Sequence, residues 1–312
     1  MLAQILPTAM LVTRPGGGAE RLRLLSFNVL RPEWGSPDYP AWEHRREAAM
    51  AVLAEVMPDL IGLQEESQTQ LDDLLGSDAG LQLAGERPHI GGSIVYRRTK
   101  FHLDQFGRLA VPERIAAIGN RTVQWALLRL AASGARILLV NGHLTPFEEA
   151  ARLQGVERIL DFLAGFASPH DHVLILGDLN IWDNDPPLRC LLANQQLRLR
   201  SAWRWVHGFR DPATTARLVA AARAGVQVRE DALKAGMELS ADAATAIEKA
   251  IAAAGQGSCH CYQARPFPGQ IDHILVPDGI TIVSSAIITT PHGSILPSDH
   301  YPLWAEIELP AR

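Results

Sequence analysis

A chain of 312 residues can bury a substantial core, in one large or two small domains. With 47% hydrophobic and 20% charged residues it has the composition of an ordinary globular protein, and no apolar run approaches the ~18–20 residues of a membrane helix. A formal net charge of −5 excludes a globally basic nucleic-acid coat, though not a local basic groove, and three cysteines make no disulfide framework.

Residues 1–20 read as a flexible lead ending in Pro15-Gly16-Gly17-Gly18. No basic residue precedes its apolar part and Pro7 interrupts it, so it makes a poor signal peptide, and a cytoplasmic protein is expected. "RLRLLSFNVL" is then an apolar strand ending on Asn28. "AWEHRREAAMAVLAEVMPDL" carries Ala, Met, Val and Leu at helical spacing and stops at Pro58. "MPDLIGLQEE" follows as a strand ending on Glu65. "GGSIVYRRTKF" and "TVQWALLRL" are strands, and Ser133-Gly134 turns the second into "ARILLVNGHL", a hairpin arm that ends on His143. "TPFEEAARLQGVERILDFLAGF" predicts a helix capped by Thr145, with Pro146 at the first helical position and Glu148 three residues after the cap. It leads back to "VLILGDLNIW", where an aliphatic strand runs into Asp178 and Asn180.

Between Trp205 and Gly257 the chain turns alanine-rich and helical, with Ser240 as an N-cap and Gly255 as a stop. Residues 211–256 read as a helical insertion whose Leu218, Leu233, Ile247 and Ile251 require a partner surface. It is either surface decoration or a lid near the cleft mouth, because its flanking segments, "DLNIWDNDP" and "PGQIDHIL", belong to strands that carry polar ends. "SCHCY", with Cys259, His260 and Cys261, offers no evident fourth zinc ligand and reads as ordinary strand or loop. Two last strands invert the order: "QIDHILVP" puts Asp272 first, and "SDHYPLWAEIEL" puts Asp299 and His300 first.

Polar-last strands running one way and polar-first strands running the other bring these groups to one edge of a mixed sheet. For Asp178 and Asn180 alone, a turn after the strand explains the pattern well. If the strand persists, their period-2 spacing points both side chains the same way. A carboxylate beside an amide then suits a hard cation, a water or a phosphate rather than zinc. Six segments agreeing favour a site over turns.

"SFNVL", "GLQE", "NGHL", "GDLN", "IDHIL" and "SDHYPL", in this order over residues 22 to 309, resemble the endonuclease/exonuclease/phosphatase superfamily. The resemblance implies a four-layered α/β sandwich (α+β), two packed mixed sheets flanked by helices, over a single domain from 21 to 312 interrupted by the insertion. It also implies hydrolysis of phosphoesters with Mg²⁺, or Mn²⁺, by an activated water in line with the scissile bond. Glu65 matches the principal metal ligand with Asn28 beside it, and Asp299 an additional one. A sparse site suits magnesium, which keeps several waters. Asp178 and Asn180 match the pair that orients water and holds the phosphate. His300 matches the histidine at the scissile phosphate, Asp272 its carboxylate partner, and His143 a phosphate or leaving-group histidine. The water's proton goes to Asp178 or to the Asp272–His300 pair.

"VNGHLTP" stands where AP endonucleases of the family carry "YxPN", which argues against AP-site cleavage. The set is more similar to the branch of deadenylases, tyrosyl-DNA phosphodiesterases and sphingomyelinase-like enzymes. A phosphodiesterase or nuclease is the first expectation, with Arg45, Arg46, Arg97, Arg98 and Arg121 as candidate phosphate contacts. A phosphatase or phospholipase on a small head group is the second. A binding module that has lost catalysis is the third, though none of the matched positions is missing. No obligate protein partner is evident.

Overall fold

The computed structural model describes residues 19–32, 39–87, 92–112, 122–182, 185–207, 240–254, 258–259 and 269–310, with isolated positions between 221 and 228. Arg121, His260, Cys261, Leu218, Leu233, Gly255 and the lead up to residue 18 lie outside them.

Two six-stranded sheets form the centre. The first runs β11 (Thr281–Ile287), β12 (Leu303–Glu308), β1 (Arg21–Asn28), β2 (Leu60–Gln64), β4 (Ile94–Arg97), β3 (Leu81–Leu83). The second runs β5 (Phe101–Ala110), β6 (Thr122–Leu130), β7 (Arg136–His143), β8 (Asp171–Asp178), β10 (Asp272–Pro277), β9 (Leu199–Ser201). The polar-ended strands therefore belong to two sheets and not to one, which corrects the expectation of a single mixed sheet behind the polar edge.

The reason lies in the alternation within each strand. Leu24, Leu60, Leu174 and Ile274 point between the sheets and pack on one another. Their neighbours point outward: Leu25 and Ile61 meet α1 (Trp42–Val56) and α2 (Gln68–Ser77). Ile175 and Leu275 meet α3 (Glu149–Phe166) and α4 (Pro186–Ala193). Strands buried on both faces read as near-continuous aliphatic runs. Burying each such side chain stabilises by roughly 1.5–3 kcal/mol, so three apolar layers hold four layers of structure together.

Direction places the site. β1 and β2 are parallel, as are β7 and β8, so Asn28, Glu65, His143 and Asp178 all come at strand ends. β10 runs antiparallel to β8 and sets Asp272 opposite Asp178, while β12 runs antiparallel to β1. Asp299 and His300, just ahead of β12, thus reach the same edge. Gly142 and Gly177 pair directly behind His143 and Asp178. Gly177 has φ 139°, and a Cβ there would fall 1.9 Å from the Gly142 carbonyl oxygen, so only glycine permits this approach.

Local signals held unevenly. α1 ends where Met57 turns left-handed (φ 48°) ahead of Pro58, and Gly134 (φ 71°) makes the β6–β7 turn. α3 starts at Glu149, not after Thr145. The Thr145 hydroxyl oxygen accepts from the Phe147 N–H at 3.4 Å instead, and Arg152 Nη1 donates to the Thr145 and Pro146 carbonyls. Of the insertion, α5 (Ala202–His207) precedes it and α6 (Ala241–Ala254) lies within it. Ser240 caps α6, its hydroxyl accepting from the Ala243 N–H at 3.2 Å, and Ile247 is buried. Among the described residues no helix is long and apolar enough to cross a membrane.

Candidate active site

Asp178 is the centre of the cluster. It is 2% exposed; Oδ2 accepts from Asn28 Nδ2 at 3.0 Å, and Oδ1 accepts from the Asn180 N–H at 3.0 Å. The strand ends at Asp178, and Asn180 is left-handed (φ 51°), so the period-2 expectation for this pair fails. Asp178 forms the turn and also enters the site, so the two readings were never exclusive. Asn180 Nδ2 donates to the Leu144 carbonyl at 2.9 Å, fastening the loop after His143 to the loop after β8.

His300 faces two carboxylates. Its Nδ1 lies 2.8 Å from Asp272 Oδ2, within the range of a charge-assisted hydrogen bond, and its Nε2 lies 3.7 Å from Asp178 Oδ2. Burial works against a charge on this ring, but Asp272, Asp178 and Asp299 outweigh it and hold its pKa well above the ordinary value. Asp178 moves the other way from a normal carboxylate. Burial pushes its pKa up to about 7, helped by Asp272 and Glu65 and opposed by His300 and Asn28. A histidinium and a carboxylate that titrates near neutrality therefore stand side by side.

The second wall carries Glu65, in left-handed conformation (φ 64°) just past β2. Its Oε2 accepts from the Arg31 N–H at 3.3 Å, and its Oε1 stands 3.8 Å from His143 Nε2. His143 Nε2 is also 3.5 Å from Asp178 Oδ2. Burial and the charge of Asp299 raise the Glu65 pKa. Asn28 spends its amide on Asp178 and accepts the Leu30 N–H on Oδ1 at 3.0 Å, so it orients the carboxylate as much as it faces Glu65. Asp299 Oδ1 accepts from the Ser298 hydroxyl at 3.2 Å. The structure thus brings together Asn28, Glu65, His143, Asp178, Asn180, Asp272, Asp299 and His300.

Among the described residues one grouping has the spacing to hold a cation. Ligating atoms of Asp178, Asp272 and His300 all lie within 4.8 Å of one another. Nδ1 of His300 is already bonded to Asp272, and a protonated ring has no lone pair to give, so we read this trio as a proton-bearing relay. Beside this trio stands Glu65, whose carboxylate feels the charge of Asp299 and a hydrogen bond from Asn28 and offers oxygen donors of the kind a hard cation takes.

Sequence reasoning missed the supports. Ser258 Oγ accepts from the Ile271 and Asp272 N–H groups at 3.1 Å each, and the Ser258 carbonyl accepts from the Tyr301 N–H at 2.7 Å. Cys259 bridges the His300 backbone. Ser258 and Cys259 thus hold the backbone at Asp272 and His300. His273 Nε2 contacts the Ile181 carbonyl at 2.7 Å behind Asn180. The Glu66 carboxylate turns away from Glu65 and accepts from the Gly92 and Ser93 N–H groups at 2.9 and 2.7 Å. Gln64 Nε2 donates to Asn141 Oδ1 at 2.8 Å, tying one sheet to the other beneath the cluster. A polar residue on a strand interior was the available signal for Asn141 and Gln64; nothing in the sequence marks Ser258.

Of the candidate arginines, Arg45 and Arg97 are engaged elsewhere. Arg45 is 1% exposed and donates to backbone carbonyls. Arg97 pairs with Asp78 at 3.0 Å beyond the opposite end of β2, the Arg98 N–H donates to the Gly80 carbonyl there, and Arg46 is exposed on α1. A concave space of about 480 Å³ lies at the start of β8, but its one carboxylate, Asp171, is taken by Arg136 and the Ser168 N–H.

The chain matches the Endonuclease/Exonuclease/phosphatase family over residues 25–300 and belongs to it. It is 26% identical to Nocturnin of Drosophila melanogaster over 209 residues, 58% of this chain and 32% of that protein, and so spans about a third of that relative's length. Its fold matches a family protein from Bacteroides thetaiotaomicron with a TM-score of 0.69 at 15% identity, covering 94% of this chain and 99% of the other. A mannosyl-6-phosphatase of the same organism matches with a TM-score of 0.68 at 15% identity, covering 92% and 99%. At such identities these structural likenesses speak for the fold alone.

Proposed function

We propose that this chain is a Mg²⁺-dependent phosphoester hydrolase, a phosphodiesterase or nuclease that drives an activated water in line onto phosphorus. The observation that carries this reading is His300, bonded to Asp272 at 2.8 Å, standing 3.7 Å from an Asp178 whose pKa is pushed up to about 7. A carboxylate of that basicity accepts a proton from water at neutral pH and gives it up again. Asn28 and the Asn180 N–H each occupy one lone pair of Asp178, fixing the carboxylate and leaving the other lone pairs for the water. The His300 imidazolium then donates its Nε2–H to a phosphoryl oxygen on which charge develops. His143 supplies a second donor on the Glu65 side.

The donor set of Glu65, Asp299 and Asn28 fits Mg²⁺, and Mn²⁺ equally. Such a cation would neutralise charge on the phosphoryl oxygens. Residues 21–312 act in this reading as one catalytic domain carrying the 211–256 insertion, and Arg121 remains our candidate for a phosphate contact. The test is turnover of bis-p-nitrophenyl phosphate, p-nitrophenyl phosphate and a single-stranded oligonucleotide under Mg²⁺ or Mn²⁺. Diester and oligonucleotide cleavage are expected. Turnover of the monoester alone would reassign the chain as a phosphatase, and turnover of none would sink the reading.

A further inference from the structure

Among the described residues Arg45 is the largest of the fully buried side chains, and it sits on the inner face of α1. Nε donates to the Pro40 carbonyl at 2.8 Å, Nη2 to Leu30 at 2.9 Å, and Nη1 to Val29 at 2.8 Å and Pro297 at 2.7 Å. Those carbonyls come from separate segments. Val29 and Leu30 follow β1 directly after Asn28, and Pro297 opens the turn that presents Asp299 and His300. Leu30 is left-handed (φ 53°), a conformation a leucine keeps only when its surroundings fix it. Its N–H is held by Asn28 Oδ1 and its carbonyl by Arg45, with Gln70 Nε2 adding a bond at 3.0 Å.

We propose that Arg45 is a positioning residue that sets the distance between the Asn28 loop and the His300 turn. Two unbroken chains of bonds leave its guanidinium. One runs through Leu30 to Asn28 and on to Asp178 Oδ2. The other runs through Pro297 into the turn where Ser298 Oγ accepts the His300 N–H at 3.3 Å. Both chains converge on the gap between Asp178 and His300. A planar guanidinium satisfies carbonyls from three directions at once, which a lysine ammonium on a flexible stem cannot reproduce with the same geometry.

This rests on the proposed function only for what the gap is used for, and the readout is chosen accordingly. A proton on His300 Nδ1, 2.8 Å from Asp272 Oδ2, should give a far-downfield proton NMR signal in the intact protein whatever the substrate is. R45K and R45M are compared with wild type by that signal, by thermal melting, and by kcat and KM on bis-p-nitrophenyl phosphate. In a folded R45K we expect the signal to shift or broaden and kcat to fall about 10- to 100-fold, with KM changed less than threefold. A folded R45K or R45M with a wild-type signal and wild-type kcat overturns the proposal, even if its melting temperature drops. Collapse of R45K also overturns it, since Arg45 then serves folding alone. If wild type hydrolyses nothing, the proposed function fails while the NMR comparison still decides the position of His300.

Discussion

At the residue scale the site rests on carboxylates whose surroundings push them apart in role. Asp272 is committed to His300 Nδ1, whereas Asp178 is left with a pKa of about 7. D178N should therefore lower kcat by about 10²–10⁴-fold, the range for removing a general base, with little effect on folding. A D178N enzyme within threefold of wild type would transfer that role to the Asp272–His300 pair. The individual side chains were legible because each ends or begins an aliphatic run, a pattern that survives without knowing the fold. What was not legible is partner choice. Two adjacent glutamates, Glu65 and Glu66, look equivalent in sequence, yet the left-handed turn at Glu65 sends one into the cleft and the other onto the Gly92 and Ser93 N–H groups. Arg45 looked like a phosphate contact because its burial depends on loops far away in the chain.

At the element scale, three left-handed residues, Leu30, Glu65 and Asn180, each follow a strand at the site edge. Strands deliver polar groups to a boundary, and these bends turn them into the cleft, with backbone strain of roughly 1–3 kcal/mol each that the surrounding bonds must offset. The close approach of β7 and β8 is equally demanding. G177A should destabilise by about 3 kcal/mol in urea unfolding, because its methyl group meets the Gly142 carbonyl; a variant within 0.5 kcal/mol or so of wild type would contradict this. The insertion needs a correction of its own. Its C-terminal end reaches Ser258 and Cys259, which hold Asp272 and His300, but its N-terminal end leaves from α5 after β9. β9 pairs with the Leu275–Pro277 end of β10, away from Asp272. Only one anchor is at the site. Replacing 211–256 by a short Gly/Ser linker should raise KM for an oligonucleotide while bis-p-nitrophenyl phosphate turnover survives. Equal changes on both in a stably folded deletion would make the segment decoration. The elements themselves were read well from periodicity. The start of α3 was not, because Thr145 and Pro146 carry cap chemistry that the loop uses for Arg152 and Phe147.

At the scale of the whole molecule, sequence direction and alternation together dictate two sheets, four layers and one polar edge. The division of strands between sheets was not readable from the strands, since both sheets are equally aliphatic. The crowding of Glu65, Asp178, Asp272 and Asp299 gives the metal-free protein a pH signature. Asp178 and Glu65 have folded-state pKa values above their ordinary ones, so between about pH 4 and 7 the folded state binds more protons than the unfolded. Stability falls as pH rises through that window. His300, also raised, contributes stability below its ordinary pKa that is lost as pH rises through its higher folded value, in the same direction. Melting in EDTA should drop steadily from pH 5 to 8, and saturating Mg²⁺ at pH 8 should restore several degrees. A flat profile would mean that the carboxylates are not crowded as described.

The most direct test of metal-dependent hydrolysis at this edge is a Mg²⁺ titration of bis-p-nitrophenyl phosphate turnover in wild type, E65Q and H300A, each first stripped with EDTA. Stripped wild type should be inactive and regain full turnover with Mg²⁺. E65Q should need at least tenfold more Mg²⁺, and H300A should saturate normally at a kcat reduced about 10²-fold or more. EDTA-resistant turnover in wild type, or an E65Q titration that overlays it, would contradict the account.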